Sequence, residues 1–369
     1  SAIAVLCNSF GNNITLLTSF GTFNHLTLAS KQGILVKDGR ALEMLNTVDT
    51  VLFDKTGTLT KEQPEIGKIV VCDEYGEEQV LMYAAAAERK LTHPIAKAIL
   101  QKAKESELTL PNIEDSQYQI GYGITVNIEN KLIRVGSGRF MQMTGFVLPK
   151  KIEEAMAYFH SQGHSLVMVA VNQKIIGAIE IQAAIRPEVK QIINELRQRG
   201  IKQIAIVSGD HKHPTQKLAK CLDIDDYFYD VLPENKAQIV EQLQQEGKVV
   251  CFIGDGINDS IAMKKANVSI SLRGASSIAT DIAQVILMDG SLSHLDQVFD
   301  ISTGLDQNLH NSFAITLVSG AINIGGVFFS HFGIIPAIII NNGGFFVGLG
   351  NAMSPSHAVS QGEPIGGGE

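Results

Sequence analysis

The chain has 369 residues, 18% of them charged and 45% hydrophobic, with a formal net charge of −8. That length exceeds what one hydrophobic core usually serves, so two or three compact units are expected. The acidic balance, without clustered Lys and Arg, excludes nucleic acid as the main partner, because phosphate binding needs such clusters.

In chain order, residues 1–30 carry no Asp, Glu, Lys or Arg. Asn8, Asn12, Asn13 and several Ser and Thr interrupt their apolar run. Without a basic n-region or an initiator Met, the segment reads as the end of a larger protein's transmembrane helix rather than as a signal peptide. Cys7, Cys72, Cys221 and Cys251 form no CxxC pair, which fits a reducing compartment and gives no zinc or disulfide framework.

Residues 50–53 (TVLF) form a short apolar, β-branched run ending at Asp54 and followed by Lys-Thr-Gly-Thr-Leu-Thr. Such a run predicts a buried parallel strand that delivers an acid at its carboxyl end. Residues 203–207 (QIAIV), leading into Ser208-Gly209-Asp210, repeat the design. So do residues 249–253 (VVCFI), leading into Gly254-Asp255-Gly256-Ile257-Asn258-Asp259. Helical patterns over 187–199, 215–222 and 235–245 separate them, so the sheet is expected to be parallel with its ligand site at the carboxyl strand ends. Converging carboxylates repel one another and need a cation, and hard oxygen ligands beside substrate phosphates suit Mg2+.

The stretch 66–180 is too long for a connection and predicts an inserted domain. It contains Glu88, then Thr92-His93-Pro94, Gly121-Tyr122-Gly123 and Gly136-Ser137-Gly138. Residues 307–362 again carry no Asp, Glu, Lys or Arg. Within them, 312–332 and 334–353 each match the roughly 20 residues that cross a bilayer, with a turn at Gly333. The chain therefore reads as membrane, cytosol, membrane.

Asp54-Lys55-Thr56-Gly57-Thr58-Leu59-Thr60 resembles the phosphorylation signature of P-type ATPases, whose catalytic core is haloacid-dehalogenase-like. Ser208-Gly209-Asp210 resembles the family's TGD, and residues 254–260 (GDGINDS) its hinge motif. The resemblance implies that Asp54 attacks the γ-phosphate of ATP and becomes an aspartyl phosphate. It further implies that Asp255 holds Mg2+ together with Asp54 and Thr56, supported by Asp259 and Asn258. Lys236, with Lys55, Thr56, Ser208, Gly209 and Asp210, would stabilise the transferring phosphoryl group. Related phosphatases place a general-acid Asp two residues after the nucleophile. Thr56 stands there instead, so the phosphorylated intermediate is expected to persist.

The inserted stretch resembles the nucleotide-binding domain of the heavy-metal (type IB) subgroup. This implies an ATP-binding set of Glu88, His93, Gly121, Gly123 and Gly136. Ser137 departs from the subgroup's Asn, and Ala184 from an Asp that the family often keeps before Arg186-Pro187. The subgroup's Cys-Pro-Cys is reduced to Leu6-Cys7-Asn8, which leaves Cys7 as the candidate ligand for the transported ion and the identity of that ion open.

The expected architecture is thus α/β: a parallel-sheet phosphorylation domain (31–65 and 181–306) with an inserted α+β nucleotide-binding domain (66–180). It is flanked by a transmembrane segment (1–30), a transmembrane hairpin (307–355) and a flexible tail (356–369). No sign of an actuator domain or of upstream helices is found; Gly362-Glu363-Pro364 is read as a chance likeness to the actuator loop. The expected partners are ATP, Mg2+, a metal cation, the bilayer and those missing parts. The expected location is a membrane, the bacterial inner or plasma membrane, with the catalytic domains cytoplasmic. A membrane-attached phosphohydrolase and a decayed pump that senses nucleotide or metal stay open as alternatives.

Overall fold

The computed structural model describes residues 11–61, 63–72, 75–113, 115–119, 123–255, 257–274, 276–330 and 333–359. Thirteen strands are present among them: β1 (Ile34–Val36), β2 (Thr50–Asp54), β3 (Glu65–Val71), β4 (Asp115–Gln119), β5 (Gly123–Ile128), β6 (Lys131–Gly136), β7 (Ser165–Val171), β8 (Lys174–Gln182), β9 (Gln203–Val207), β10 (Asp226–Phe228), β11 (Val250–Ile253), β12 (Val268–Leu272) and β13 (Val285–Leu287). They form a seven-stranded sheet in the order β1-β13-β12-β11-β2-β9-β10 and a six-stranded sheet in the order β3-β8-β7-β6-β5-β4.

The larger sheet is the expected parallel one. β2 pairs with β11, β11 with β12, β12 with β13 and β9 with β10 in parallel, while β1 adds an antiparallel edge. Every residue of β2, β11, β12 and β13 is buried. Burial on both faces is why these strands read as unbroken apolar runs rather than as alternating ones. Phe53 lies opposite Ile253, so the residues that follow β2 and β11 leave adjacent strand ends.

By packing, the chain divides into two compact units: residues 1–53, 190–204 and 233–369, and residues 54–189 and 205–232.

In the first unit lie α1 (Gly11–Lys31), α2 (Gly39–Leu45) and most of the helices that follow the inserted region. Their bounds differ a little from the sequence patterns. The pattern at 187–199 becomes Val189–Gln198, because Pro187 and Glu188 lie in the turn before it, and the pattern at 235–245 starts at Pro233. The pattern at 215–222, in the second unit, starts at Lys212. The last two helices run Leu295–Phe329 and Ile334–Val359. Both are long and apolar enough to cross a membrane, and among the described helices they alone meet that test.

Both helices are apolar outside, and the first is also polar inside. Phe313, Leu317, Ile322, Phe328, Ile335, Ile339 and Phe346 are exposed, whereas Asn308, Ser312, Thr316, Ser319 and Asn323 are buried. Water would select the reverse, and lipid tolerates this arrangement because small and polar side chains join helices there. The first helix begins 17 residues before the expected span, at Leu295, because its first turns carry Asp296, Asp300 and Asp306, which a charge-free window leaves out.

In the second unit, strands between Glu65 and Gln182 form the six-stranded antiparallel sheet. Side chains on β7 alternate: Val167, Val169 and Val171 face Val80, Leu81, Ala84 and Ile99, while Leu166, Met168 and Ala170 face Phe140, Ile152 and Phe159. A period of two with both faces covered gives the near-continuous burial along this strand.

Candidate active site

β2 ends at Asp54, 7% exposed, and the chain then turns through Lys55–Leu59 with Gly57 at φ +79°. An L side chain is strained there, so the glycine permits the turn. Arg186 donates from Nη2 to the Gly57 carbonyl at 2.8 Å, Arg186 N donates to Leu59 O, and Lys61 N donates to Ala184 O. A short segment before Pro187 therefore clamps the loop. Ala184 offers no carboxylate where the family often keeps Asp, but its backbone carbonyl accepts from Lys61 N whatever the side chain. Arg186 was not among the expected site residues, and the Arg-Pro pair was its only signal.

Lys55, buried, forms an ion pair with Asp210. Burial pulls the Lys55 pKa below its ordinary value, and the neighbouring Asp54 carboxylate opposes that shift. Ser208, 2% exposed, accepts from Asp210 N at 3.1 Å, which shapes the loop after β9. Lys236 Nζ donates to Asp259 Oδ1 at 2.6 Å, with both side chains almost completely buried. The lysine expected to face phosphate thus also holds the second acid of the hinge motif.

Asp54, Asp255 and Asp259 each offer a carboxylate oxygen, and the three oxygens lie within 4.8 Å of one another. Three hard anionic oxygens this close suit a divalent cation of the Mg2+ type, which completes its shell with water and phosphate. Thr58 Oγ1 is buried nearby in sequence without a hydrogen-bond partner among the described residues. Asn258 is exposed.

A cavity of about 690 Å3 is lined by Lys55, Thr56 and Asp210 together with Glu88, His93, Gly123 and Gly136. It unites the phosphorylation loop with most of the expected nucleotide set. His93 Nδ1 accepts from Ala96 N at 3.2 Å, capping the helix Pro94–Glu105. That contact leaves the ring proton on Nε2, which lies 3.0 Å from Glu88 Oε2 but is not aligned for a hydrogen bond, so Oε2 is buried without a partner among the described residues. Burial raises the Glu88 carboxyl to about 7 and lowers the His93 imidazole.

Gly123 lines the cavity as well, and packing bars a side chain from its position. A Cβ there would lie 2.5 Å from the Phe140 ring and 2.6 Å from Val135 O, so the sheet itself demands glycine. Gly121, Cys7 and the 362–364 triplet lie outside the described residues.

A family model described as haloacid dehalogenase-like hydrolase matches residues 48–267. A copper-exporting P-type ATPase of Staphylococcus aureus (strain MW2) is 34% identical over 284 residues, covering 77% of this chain and 35% of that relative. The chain thus spans about a third of the length of the curated relatives it matches. A zinc-transporting PIB-type ATPase in the E2·Pi state superposes over 93% of this chain and 55% of its own, with a TM-score of 0.83 and 28% identity. The catalytic CPx-ATPase domain CopB-B is 30% identical with a TM-score of 0.55, over 73% of this chain and 96% of that domain.

Proposed function

This chain belongs to the haloacid dehalogenase-like hydrolases and, among them, to the heavy-metal P-type ATPases, and from that membership we propose that it is the ATP-consuming catalytic portion of a metal-cation pump. The observation that carries the reading is the grouping of the Asp54, Asp255 and Asp259 oxygens, with Lys236 on Asp259.

In this reading an Asp54 carboxylate oxygen attacks the γ-phosphorus of ATP. The bond from that phosphorus to the bridging oxygen breaks, ADP leaves with the oxygen, and an acyl phosphate remains on Asp54. Asp54, Asp255 and Asp259 would hold Mg2+, which when bound offsets negative charge on the phosphoryl oxygens. Lys55 and Lys236 add fixed positive charge, and Thr56, exposed at the cavity wall, donates its hydroxyl. Glu88 and His93 orient the nucleotide base. Thr56 brings no carboxyl to activate water, so the acyl phosphate outlives a simple phosphatase intermediate.

The wider setting is proposed on the same footing: two membrane helices in a bacterial plasma membrane, catalytic domains in the cytoplasm, and a metal cation as cargo. The relatives named for copper and for zinc leave the ion unassigned.

Incubation with γ-labelled ATP and Mg2+ tests the reaction. An acid-stable, hydroxylamine-sensitive label that disappears in Asp54→Asn supports it. Rapid phosphate release without label would instead assign a phosphohydrolase, and nucleotide binding without either would assign a sensor.

A further inference from the structure

We propose that Arg186 is a positioning residue for phosphoryl transfer, which holds the loop after Asp54 in its working shape through the Gly57 carbonyl. The inference rests on the reading of Asp54 as the phosphorylated residue.

The loop needs such a hold. Thr60 closes it, donating to the Lys55 carbonyl from its backbone N at 3.0 Å and from Oγ1 at 3.2 Å. Between Lys55 and Thr60 the turn depends on Gly57 at φ +79°, and glycine has the widest choice of backbone conformations. The residue that permits the turn therefore does not select it. Selection comes from Arg186, whose Nη2 donates to the buried Gly57 carbonyl at 2.8 Å. A guanidinium donor makes this bond charge-assisted and stronger than one between neutral groups.

Arg186 is itself held in place. Pro187 disfavours helical backbone at the residue before it, which keeps Arg186 outside the helix Val189–Gln198. Ile185 bridges Thr60 in antiparallel pairing, Arg186 N donates to Leu59 O at 3.0 Å, and Lys61 N donates to Ala184 O at 2.8 Å. Glu188 Oε1 adds an ion pair to Nη1 at 3.9 Å. The side chain thus reaches Gly57 from a segment already hydrogen-bonded to the end of the loop.

Its place separates this role from nucleotide binding. Among the described residues that line the nucleotide cavity, Lys55 and Thr56 of the loop are present and Arg186 is not. Arg186 acts on the reaction through Gly57, by keeping Asp54 and Thr56 where attack on the phosphorus needs them. A misplacement of about 1 Å costs such reactions on the order of a hundredfold.

The test follows label appearance on the detergent-purified full chain after mixing with γ-labelled ATP and Mg2+, over a range of ATP concentrations. Arg186→Met removes the donor, and Arg186→Lys keeps the charge and a single donor group. In Arg186→Met the maximal labelling rate is expected to fall roughly tenfold to a hundredfold while half-saturating ATP moves less than about twofold, with Arg186→Lys in between. ADP binding by each variant reports an intact fold. Where Arg186→Met has lost it, Arg186→Lys decides, with slower labelling expected at the same half-saturating ATP. Equal maximal rates in the variants and the unsubstituted protein, or a change confined to half-saturating ATP, would overturn this inference alone. Absence of label from the unsubstituted protein would overturn the reading of Asp54 as well.

Discussion

At the carboxyl ends of the larger sheet, the buried charges of Lys55, Lys236 and Asp259 are matched, Lys55 with the half-exposed Asp210 and Lys236 with Asp259. In the first of the two apolar helices, buried polar atoms are left without partners among the described residues, namely Asn308 Oδ1 and both amide atoms of Asn323. The first region confines charge to a small group of positions whose separation is set by strand register, as chemistry on a phosphoryl group requires. The second leaves hydrogen-bonding capacity open inside a shell of exposed Phe, Ile and Leu, as a region that must accommodate another species would.

The sharpest way to break this contrast is to remove one member of a matched pair. Lys236→Met leaves Asp259, 1% exposed, without its cation, and a loss of about 3–5 kcal/mol in denaturant unfolding is expected. The double variant Lys236→Met with Asp259→Leu is expected to lose far less than the single one, because no orphaned charge stays buried. A loss in the double variant equal to the sum of the losses in Lys236→Met and Asp259→Leu alone would show that the pair is not energetically coupled.

Glu88 sharpens the contrast through pH. Burial raises its carboxyl from the ordinary 4.5 to about 7, so the folded chain binds this proton more tightly than the unfolded chain does. The associated stability is fully present below about pH 4.5, declines as pH rises and is gone above about 7. Relative to Glu88→Gln, the natural chain is expected to lose on the order of 3 kcal/mol across that window. Parallel stability curves for the two proteins would remove the buried-acid account.

The unmatched region predicts the opposite sign. Asn323→Leu deletes two buried, unpartnered amide atoms and is expected to raise the thermal stability of the solubilised chain by about 1 kcal/mol. A loss of similar size would mean that Asn323 is paired in the membrane.

The two regions also differ in how far they can be read from residues alone. Asp54, Asp210 and Asp255 each follow an apolar, β-branched run, and the strand-end rule for parallel sheets brings such acids together. The insertion was legible because more than a hundred residues separate two strands of one sheet. The Lys236–Asp259 and Glu88–His93 contacts were not, since side-chain pairing depends on how helices pack and leaves no periodic trace. Gly123 shows the same limit: its place in the sequence pointed to a nucleotide, whereas Phe140 and Val135 are what exclude a side chain. In the bundle, charge-free stretches marked the helices, but the early start at Leu295 and the partnerless amides come from neighbours far along the chain.

Mapping the phosphorylated residue tests the central claim most directly. The chain, acid-quenched after brief exposure to γ-labelled ATP and Mg2+ and then digested, is expected to carry its label on a single peptide containing Asp54, with the label absent from Asp255→Asn protein. Label on any other residue, or ATP turnover that continues in Asp54→Asn, would contradict the account.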